Sequence, residues 1–598
     1  MTKTILVCCG TGCVAAGAHG VLDSLRQAAA GLDMEVRPFL KATGCQGLCE
    51  RGPMIHILPD DICYYNVKPQ DAEEIIQTTA LKGELVSRLL YTYGKGQKAV
   101  SKKDNPFFAP QKRVALANVG RIDPLEIQDY LDAGGYQALQ LALDKGSEWI
   151  IGQVNASGLR GRGGAGFPTA KKWQIGASQA DPVKYVVCNG DEGDPGAFMD
   201  GSLMDGDPHR VLEGLIIAGI AVGAHHGFFY IRDEYLQARK HIEAAIAAAR
   251  EKGYLGKNIC GRDYEFDVEI VRGGGAFVCG EETALLESIE GRVGEPRFKP
   301  PYPSVSGLWG HPTVTNNVET LANVPVIISS GGEAFAECGT DNSKGTKVFA
   351  MVGKVKRTGL VEIPMGTTLR QLVYDIGGGV ANDRPLKAVQ TGGPSGGCLP
   401  ASMLDIMVDY DQLTAQGSMM GSGGIIVVDD RTCMVDFARY YVGFLSEESC
   451  GRCNPCREGL RQLLHIYDRI CAGEGHLEDL DELESIALSM KESAICALGR
   501  TAANPVLTTL KYFRDEYEAH IVDHYCPAGV CPSLTTFRID PERCVGCGLC
   551  AKSCPAGAIT GETGKPHIID NQACISCGNC RNTCRVDAIA SVKGGEDQ

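Results

Sequence analysis

The C-terminal stretch 536–598 carries the clearest chemical signal, because its eight cysteines form two groups of identical spacing. Two, two and three residues separate successive cysteines in each group. Thiolates are soft ligands for iron, and in this spacing the fourth cysteine of each group ligates the other cluster. We therefore expect two [4Fe–4S] clusters, one held by Cys544, Cys547, Cys550 and Cys584 and the other by Cys574, Cys577, Cys580 and Cys554. Paired zinc knuckles are the alternative, but they would not need the fourth cysteine in both groups.

A second set of thiols lies in the middle of the chain. Two residues separate Cys450 from Cys453 and Cys453 from Cys456, and Cys496 is the natural candidate for the fourth ligand. This set predicts a third [4Fe–4S] cluster. A structural zinc site is the alternative that the same spacing allows.

The N-terminal region offers four thiols on two loops. Cys8 and Cys13 form the first pair, and Cys45 and Cys49 form the second. This pattern suits a [2Fe–2S] cluster, with neighbouring glycines whose backbone N–H groups can donate to the cluster sulfurs. Cys9 competes with Cys8 as a ligand, and a pair of redox-active thiols is the alternative to a cluster.

A weaker group precedes the C-terminal stretch. Cys526 and Cys531 lie close to His520 and His524, and two thiolates with one imidazole could hold zinc. The sequence does not show a fourth ligand for His520, Cys526 and Cys531. Ordinary buried cysteines explain the same residues equally well.

Glycine-rich segments point to a nucleotide. Gly161, Gly163 and Gly166 form a G-x-G-x-x-G pattern, but the preceding 149–156 has the pattern of a helix, so the dinucleotide-binding context of a strand is missing. The segment 189–196 places four polar side chains among three glycines after a buried strand, which suits hydrogen bonding to a ribose or a flavin edge, although a solvated acidic turn is the simpler interpretation. The segment 272–283 follows a strand and precedes a helix, which is the order that cradles phosphate.

Composition limits the class of protein. The chain has 598 residues, 27 cysteines and a net charge of −15, which argues against a partner made of nucleic acid. The most apolar run, 215–224, is shorter than the ~20 residues of a membrane span, and no cleavable signal pattern is present. We therefore expect a cytoplasmic protein without a membrane span, in which patterned cysteines bind metal.

The elements that must position these residues fall into five predicted domains with a multidomain α/β and α+β organisation. The polar stretch 94–110 is predicted to be a linker. The domains, in order, are a small α/β [2Fe–2S] unit over 1–93, a glycine-rich α/β region over 113–335, a smaller α+β insert over 340–430, a helical [4Fe–4S] region over 432–525 and a two-cluster ferredoxin domain over 536–598.

Five segments closely resemble the FMN- and NADH-binding flavoprotein subunit of respiratory complex I. They are GLRGRGGAGFPT at 158–169, CNGDEGDPGAF at 188–198, GAFVCGEETAL at 275–285, HPTVTNNVET at 311–320 and ESCGRCNPCREG at 448–459. The whole chain resembles more closely the beta subunit of multimeric, often electron-bifurcating, NAD(P)-linked [FeFe]-hydrogenases. In those proteins a thioredoxin-like [2Fe–2S] domain precedes the flavoprotein core and a ferredoxin domain follows it.

The resemblance implies the fold and the cofactor contacts. The core becomes a modified Rossmann-like domain, the insert a ubiquitin-like SLBB domain and the helical region a bundle around its cluster. FMN would lie against Gly161, Arg162, Gly163, Lys172, Asn189, Asp191, Gly280, Glu281, Asn316 and Asn317. NAD(H) would stack above it, near Phe167, Glu192, Asp194, Glu282, Lys299 and Tyr302.

Three departures from the family bear on the nicotinamide cofactor. Ile175 stands where the family usually has a phenylalanine, and Tyr302 replaces another, both in the region that stacks on adenine. Asp194 stands where complex I often has a glutamate. A carboxylate near the ribose favours a free 2′-hydroxyl, which favours NAD over NADP.

The implied activity is that of an NADH dehydrogenase (diaphorase) subunit. Hydride would be exchanged at FMN, and single electrons would pass to iron–sulfur clusters. No acid or base is needed, so Glu281 and Glu282 would act by position and charge. Expected partners are a catalytic subunit, with hydrogenase ranked before formate dehydrogenase and complex I, a small [2Fe–2S] subunit, and a ferredoxin. A flavin-free polyferredoxin would leave the glycine motifs without a role, and a zinc-stabilised scaffold would be colourless.

Overall fold

The computed structural model describes residues 3–33 and 37–593. The outermost residues of the predicted first and last domains, and the segment 34–36, lie outside the described residues. The chain divides into two compact units, one made of Met1–Asn382, Thr391–Gly393 and Leu404–Val427 and the other of Asp383–Gln390, Pro394–Met403 and Val428–Gln598. No helix of the described ranges is long and apolar enough to cross a membrane.

The first unit begins with a four-stranded sheet in the order β2-β1-β3-β4. Its β1 is parallel to β2 and antiparallel to β3. The apolar residues Ile5, Val7, Val21 and Leu25 are fully buried between the sheet and the second helix. The elements are β1 (Thr4–Cys8), α1 (Thr11–Ala15), α2 (Ala18–Ala30), β2 (Phe39–Thr43), β3 (Ile55–Leu58), β4 (Ile62–Tyr64), α3 (Ala72–Glu74) and a π-helix, Ile75–Leu81.

The stretch 94–110 is packed, so the prediction of a linker is wrong. Strand β5 (Tyr91–Tyr93) pairs with β6 (Gln97–Ala99), and Asn105 and Phe107 are fully buried. Polar composition favours a solvated segment, but the two apolar rings of Phe107 and Phe108 anchor it.

A four-stranded parallel sheet forms the centre of this unit, in the order β10-β7-β8-β9. The apolar segment 215–224 lies mostly in α9, which is buried on nearly all sides because helices and sheet surround it. The elements are α4 (Ile127–Asp132), α5 (Gln137–Lys145), α6 (Ser147–Ala156), α7 (Thr169–Ala177), β7 (Tyr185–Gly190), α8 (Met199–Gly206), α9 (Pro208–Val222), β8 (His226–Arg232), α10 (Leu236–Glu251), β9 (Asp267–Gly273), α11 (Glu282–Ile289), β10 (Thr313–Asn317), α12 (Val318–Ser330) and α13 (Gly332–Ala336).

The region after α13 contains β11 (Thr346–Gly353) and β12 (Gly359–Pro364), which pair in antiparallel fashion. Helix α14 (Tyr410–Ala415) precedes β15 (Gly424–Asp429), whose first four residues run parallel to β11. In the second unit, β13 (Leu386–Thr391) pairs with β14 (Cys398–Pro400). The predicted strands at 348–352 and 425–428 therefore exist.

The second unit continues as a helical bundle and ends in a small domain of two similar halves. In that domain β16 pairs with β19 and β17 pairs with β18, both antiparallel. The elements are α15 (Met434–Glu448), α16 (Asn454–Ala472), α17 (Glu478–Ser493), α18 (Ala497–Thr501), α19 (Ala503–Tyr512), α20 (Arg514–Ile521), β16 (Thr536–Ile539), α21 (Leu549–Ser553), β17 (Ile559–Thr560), β18 (Ile568–Ile569), α22 (Asn579–Thr583) and β19 (Ile589–Val592).

Candidate active site and metal centres

The carboxyl edge of the parallel sheet gathers the polar residues of three separate motifs. Asn317 at the end of β10 lies opposite Asn189 at the end of β7, and β8 continues the edge beside Gly190. Helices α11 and α12 begin at this edge, capped by the side chains of Glu281 and Asn317. Parallel strands place their carboxyl ends together, and helix N-termini attract anions, so this edge suits a phosphorylated cofactor.

Asn189 and Asp191 are held by neighbouring loops. The Asn189 Nδ2 atom donates to the carbonyl of Gly280 at 2.9 Å, and the Asn189 Oδ1 atom accepts from the Asp191 N–H at 3.0 Å. The Asp191 carboxylate pairs with the Arg232 guanidinium at 3.2 Å. The motifs do not reveal Arg232, the last residue of β8, because nothing in the sequence around it forms a motif.

Two lysines and two glutamates form a charged cluster at the same edge. The Lys172 Nζ atom lies 3.1 Å from Glu282, and the Lys299 Nζ atom lies 2.8 Å from Glu281 and 3.0 Å from Glu282. Burial alone would raise the pKa of Glu282, but the two ammonium groups lower it to about 2. Glu282 is therefore ionised at neutral pH, and the lysines balance the cluster.

The glycine loop lies against this edge and follows a helix, as the sequence indicates. A Cβ atom added at Gly163 would lie 3.0 Å from the Cβ atom of Asn317, so the loop backbone approaches the end of β10 closely. The Tyr410 hydroxyl donates to the Gly161 carbonyl at 2.8 Å and fixes the loop from the other side. Two backbone bonds hold the loop as well, because the Gly161 N–H donates to the Phe167 carbonyl and the Arg162 N–H donates to the Thr320 hydroxyl, each at 2.8 Å.

Some predicted contact residues have protein partners instead. The buried Arg162 guanidinium donates to the carbonyls of Arg160 and Lys344, at 3.0 and 2.6 Å. The Glu192 carboxylate accepts from three backbone N–H groups at the start of α8 and from the Tyr235 hydroxyl. These two side chains therefore support the site from behind.

Of the remaining predicted residues, some bond to protein partners and others are exposed. Asn316 accepts from the buried Trp173 indole at 2.8 Å, and Asn317 donates to Asp200 at 2.5 Å. Asp194 accepts from the Ser422 hydroxyl, and burial raises the pKa of Asp194 to about 6. Phe167 and Tyr302 are 44% and 58% exposed, which leaves both rings free to stack on a base.

The donor chemistry of this edge fits FMN. Two ammonium groups and two helix N-termini can receive a phosphate, and the glycine backbone with amide side chains can border a flat polar ring.

The four N-terminal thiols converge at the end of β1. Hydrogen bonding by Cys13 and Cys45 holds the pKa of Cys8 well below its usual range, and the sulfur atoms of Cys45 and Cys49 are 3.5 Å apart. A Cβ atom at Gly52 would lie 2.4 Å from the Cys13 sulfur, so only glycine fits this cradle. Burial raises the pKa of Cys9 to about 12, and the nearby charges of Asp123 and Asp205 oppose its ionisation.

Cys8, the last residue of β1, faces the loop of the second pair, because its sulfur accepts from the Gln46 N–H at 3.4 Å. The set of Cys8, Cys13, Cys45 and Cys49 fits a [2Fe–2S] cluster.

In the helical bundle, Cys450, Cys453, Cys456 and Cys496 come together. Burial raises the pKa of Cys456 to about 11, and the charges of the other three thiols contribute to the rise. A Cβ atom at Gly499 would lie 3.3 Å from the Cys456 sulfur. Cys496 thus joins the three closely spaced cysteines although it is distant in sequence.

The C-terminal domain brings cysteines of its two halves together at one of the two expected cluster sites. A small cavity is lined by Cys544, Cys547 and Cys550 of the first half and by Cys584 of the second. The backbone N–H groups of Ala558 and Ala588 donate to the sulfur atoms of Cys554 and Cys584, each at 3.3 Å. A cavity lined by thiols and apolar residues fits a [4Fe–4S] cluster.

A fourth thiol completes the weak group that precedes this domain. Cys433, His520, Cys526 and Cys531 are all buried, and their ligand atoms lie within 4.8 Å of one another. The Nδ1–H group of His520 donates to the Glu516 carbonyl at 2.7 Å, which leaves its Nε2 atom facing Cys433 at 3.3 Å and Cys531 at 3.4 Å. Neighbouring thiols hold the pKa of Cys526 far below its usual range.

The motifs do not reveal Cys433, because it lies far from the other three residues in the sequence and belongs to no motif. His524 is exposed and takes no part in the group. The set of three sulfurs and one imidazole nitrogen is that of a structural zinc site.

Comparisons with known proteins agree with this layout. Family models match in chain order: thioredoxin-like [2Fe-2S] ferredoxin over 2–80, Nuo51 FMN-binding domain over 154–326, SLBB domain over 348–399, NADH-ubiquinone oxidoreductase-F iron-sulfur binding region over 436–520 and 4Fe-4S binding domain over 537–560. These matches confirm the predicted fold class and the FMN and iron–sulfur cofactors.

Individual relatives are similar over most of their length. The NADP-reducing hydrogenase subunit HndC of Solidesulfovibrio fructosivorans is 51% identical over 76% of this chain and 93% of its own. The F 2 subunit of NADH-quinone oxidoreductase from Rhizobium meliloti (strain 1021) is 47% identical over 69% of this chain and 99% of its own. A chain in the crystal structure of an H2-reduced NAD+-reducing [NiFe]-hydrogenase is 32% identical, with a TM-score of 0.60, over 87% of this chain and 84% of that one.

Proposed function

We propose a partner and a set of site residues for this chain, which belongs to the family of flavoprotein subunits that includes HndC and the F subunit of NADH-quinone oxidoreductase. It is an NAD(P)H flavoprotein subunit of a multi-subunit oxidoreductase. The proposed partner is a hydrogenase catalytic subunit. The observation that supports it is the identity of 51% to a hydrogenase subunit across 93% of that subunit.

FMN, when bound, supplies the conversion between two-electron hydride chemistry and single-electron transfer. The chain's own residues would bind the cofactor and orient it. Lys172, with the N-terminus of α11, would hold the phosphate of FMN, while the backbone of Gly161, Gly163 and Gly280 would border its ring. Lys299 would face the nicotinamide cofactor. Asn189 and Asp191 would present polar atoms to its edge.

The nicotinamide cofactor would enter above this edge. Phe167 and Tyr302 would stack on its base, because their rings are exposed on the surface of the cleft. Phe298, 64% exposed and next to Lys299, is a further candidate that the motifs do not single out. Asp194 would face the ribose and favour NAD, and Glu192 and Asn317 would hold the surrounding backbone.

Four cluster sites complete the proposal. The [2Fe–2S] cluster would be held by Cys8, Cys13, Cys45 and Cys49, and three [4Fe–4S] clusters by the sets described above. The buried group of Cys433, His520, Cys526 and Cys531 would hold zinc as a structural ion, since it leaves no position open for a substrate.

Native purification with identification of every co-purifying subunit tests the partner. A hydrogenase catalytic subunit in the complex is the expected result, whereas a formate dehydrogenase or membrane complex would contradict it. Flavin content and NADH–ferricyanide activity of the same sample test the site. A Lys299→Met variant should lose affinity for NADH while Lys171→Met, at an exposed position of the same region, should not.

A further inference from the structure

Arg113 lies directly against the loop that carries two of the N-terminal cysteines. Its NH2 atom donates to the Gln46 carbonyl at 3.2 Å, and Gln46 follows Cys45. A Cβ atom at Gly47 would lie 2.5 Å from the same nitrogen, so the guanidinium occupies the space that this glycine leaves. The loop and the arginine are thus fitted to each other.

The charge of Arg113 lacks a protein counter-ion. Among the residues that the structure describes, no carboxylate makes an ion pair with its guanidinium, and its buried Nε atom has no hydrogen-bond partner. Glu362 is the one carboxylate whose charge raises the pKa of Arg113, but its two oxygens accept from the N–H groups of Ala115 and Leu116, both at 2.9 Å. Burying a cation without a partner is costly, so the arrangement calls for a negative charge nearby.

Three of the proposed cluster ligands add to the negative charge that acts on Arg113. Burial lowers the pKa of Arg113, while Glu362, and after it Cys45, Cys49 and Cys8, raise it by their negative charge. An arginine stays protonated in proteins, so it is a permanent cation beside this group. The other side of the guanidinium is closed by the Phe108 ring, 5.7 Å from its central carbon.

We propose that Arg113 is the counter-charge of the [2Fe–2S] cluster and raises its reduction potential. Reduction adds one electron to a cluster already made anionic by four thiolates. A fixed cation stabilises the more negative reduced form more than the oxidised form, and the potential of such clusters depends on net charge in their surroundings. Arg113 is a positioning residue in this role, and the inference rests on the proposed ligand set.

A second cation, Lys102, lies near the same ring, with its Nζ atom 5.5 Å from the Phe108 centroid. Its main charged neighbour is Cys63, and Cys8 contributes less. Cys63 is not one of the four proposed cluster ligands, so we assign the effect to Arg113.

The experiment measures the midpoint potential of the [2Fe–2S] cluster in the full-length holoprotein by EPR-monitored redox titration. In Arg113→Gln, the ratio of reduced to oxidised cluster at a given applied potential should fall about tenfold. For a one-electron step, this equals a fall of about 59 mV in the midpoint potential. Arg113→Lys keeps the positive charge, so its midpoint potential should stay close to that of the wild-type protein. The matched control is Lys98→Gln, which removes an exposed cation of the segment 94–110 and should leave the midpoint potential unchanged.

An unchanged potential in Arg113→Gln, with normal iron and sulfide content, overturns the inference. If the neutral variants Arg113→Gln and Arg113→Met both lose the cluster while Arg113→Lys keeps it, charge compensation is supported; loss from all three shows that shape matters and overturns it. Cys45→Ser tests the ligand set separately. If that variant keeps the wild-type [2Fe–2S] spectrum, the proposed ligands are wrong, whatever the arginine variants show.

Discussion

Replacement of Lys347 by methionine tests the buried ion pair behind the flavin edge. The Lys347 ammonium and the Glu319 carboxylate are in contact, and their side chains are 0% and 1% exposed. The ammonium also donates to the carbonyls of Val348 and Ser422, at 2.7 and 2.6 Å. Glu319 lies two residues after Asn317, so this pair fixes the start of α12 at the carboxyl edge.

Methionine would leave the Glu319 carboxylate buried with one backbone donor, the Val348 N–H at 2.9 Å. Burial already raises the pKa of Glu319, and the positive charges of Lys347 and Arg162 oppose that rise. Removing one partner of a buried pair costs about 3–5 kcal/mol. At 1.36 kcal/mol per factor of ten, the unfolding equilibrium of this region should shift by about two to four orders of magnitude.

Tryptophan fluorescence during urea denaturation measures this region selectively. The chain has three tryptophans, Trp149, Trp173 and Trp309, all in or beside the parallel-sheet region. Lys347→Met should lower the urea midpoint strongly, and the double variant with Glu319→Gln should recover much of the loss because neither side chain of the pair then carries a charge. A loss below about 1 kcal/mol, or a double variant no more stable than the single one, would refute the reasoning.

Three further predictions concern the cofactors. Gly52→Ala should lower the [2Fe–2S] EPR signal because its Cβ atom would meet a ligand sulfur, whereas Gly12→Ala, with nothing within 4 Å, should not; equal signals would contradict the cradle. Cys433→Ser should reduce bound zinc measured by mass spectrometry, and His524→Ala should keep it; zinc retained in the first variant would remove Cys433 from the site. Lys299→Met should raise the KM for NADH about tenfold or more, measured by ferricyanide reduction, and an unchanged KM would count against a role in binding.

Local spacing is sufficient to predict the cluster cysteines. Cys544, Cys547 and Cys550 lie within seven residues of one another, at and before the start of α21, and the structure places Cys584 with them as the repeat predicts. The helix before Gly161 also follows from its sequence pattern. The packed segment 94–110 does not, because a few buried aromatic residues outweigh its polar composition, and they act through contacts with distant parts of the chain.

The sequence alone determined which chemistry the chain carries, since thiol spacing and glycine motifs follow from local geometry. Only the tertiary structure decided which of these residues face the site. It turned the Arg162 and Glu192 side chains toward protein partners and brought Cys433 to His520 across the bundle. The reason is physical, because strand ends, helix starts and buried charges come together through long-range packing. The residues next to a side chain in the sequence do not determine which partner it meets in that packing.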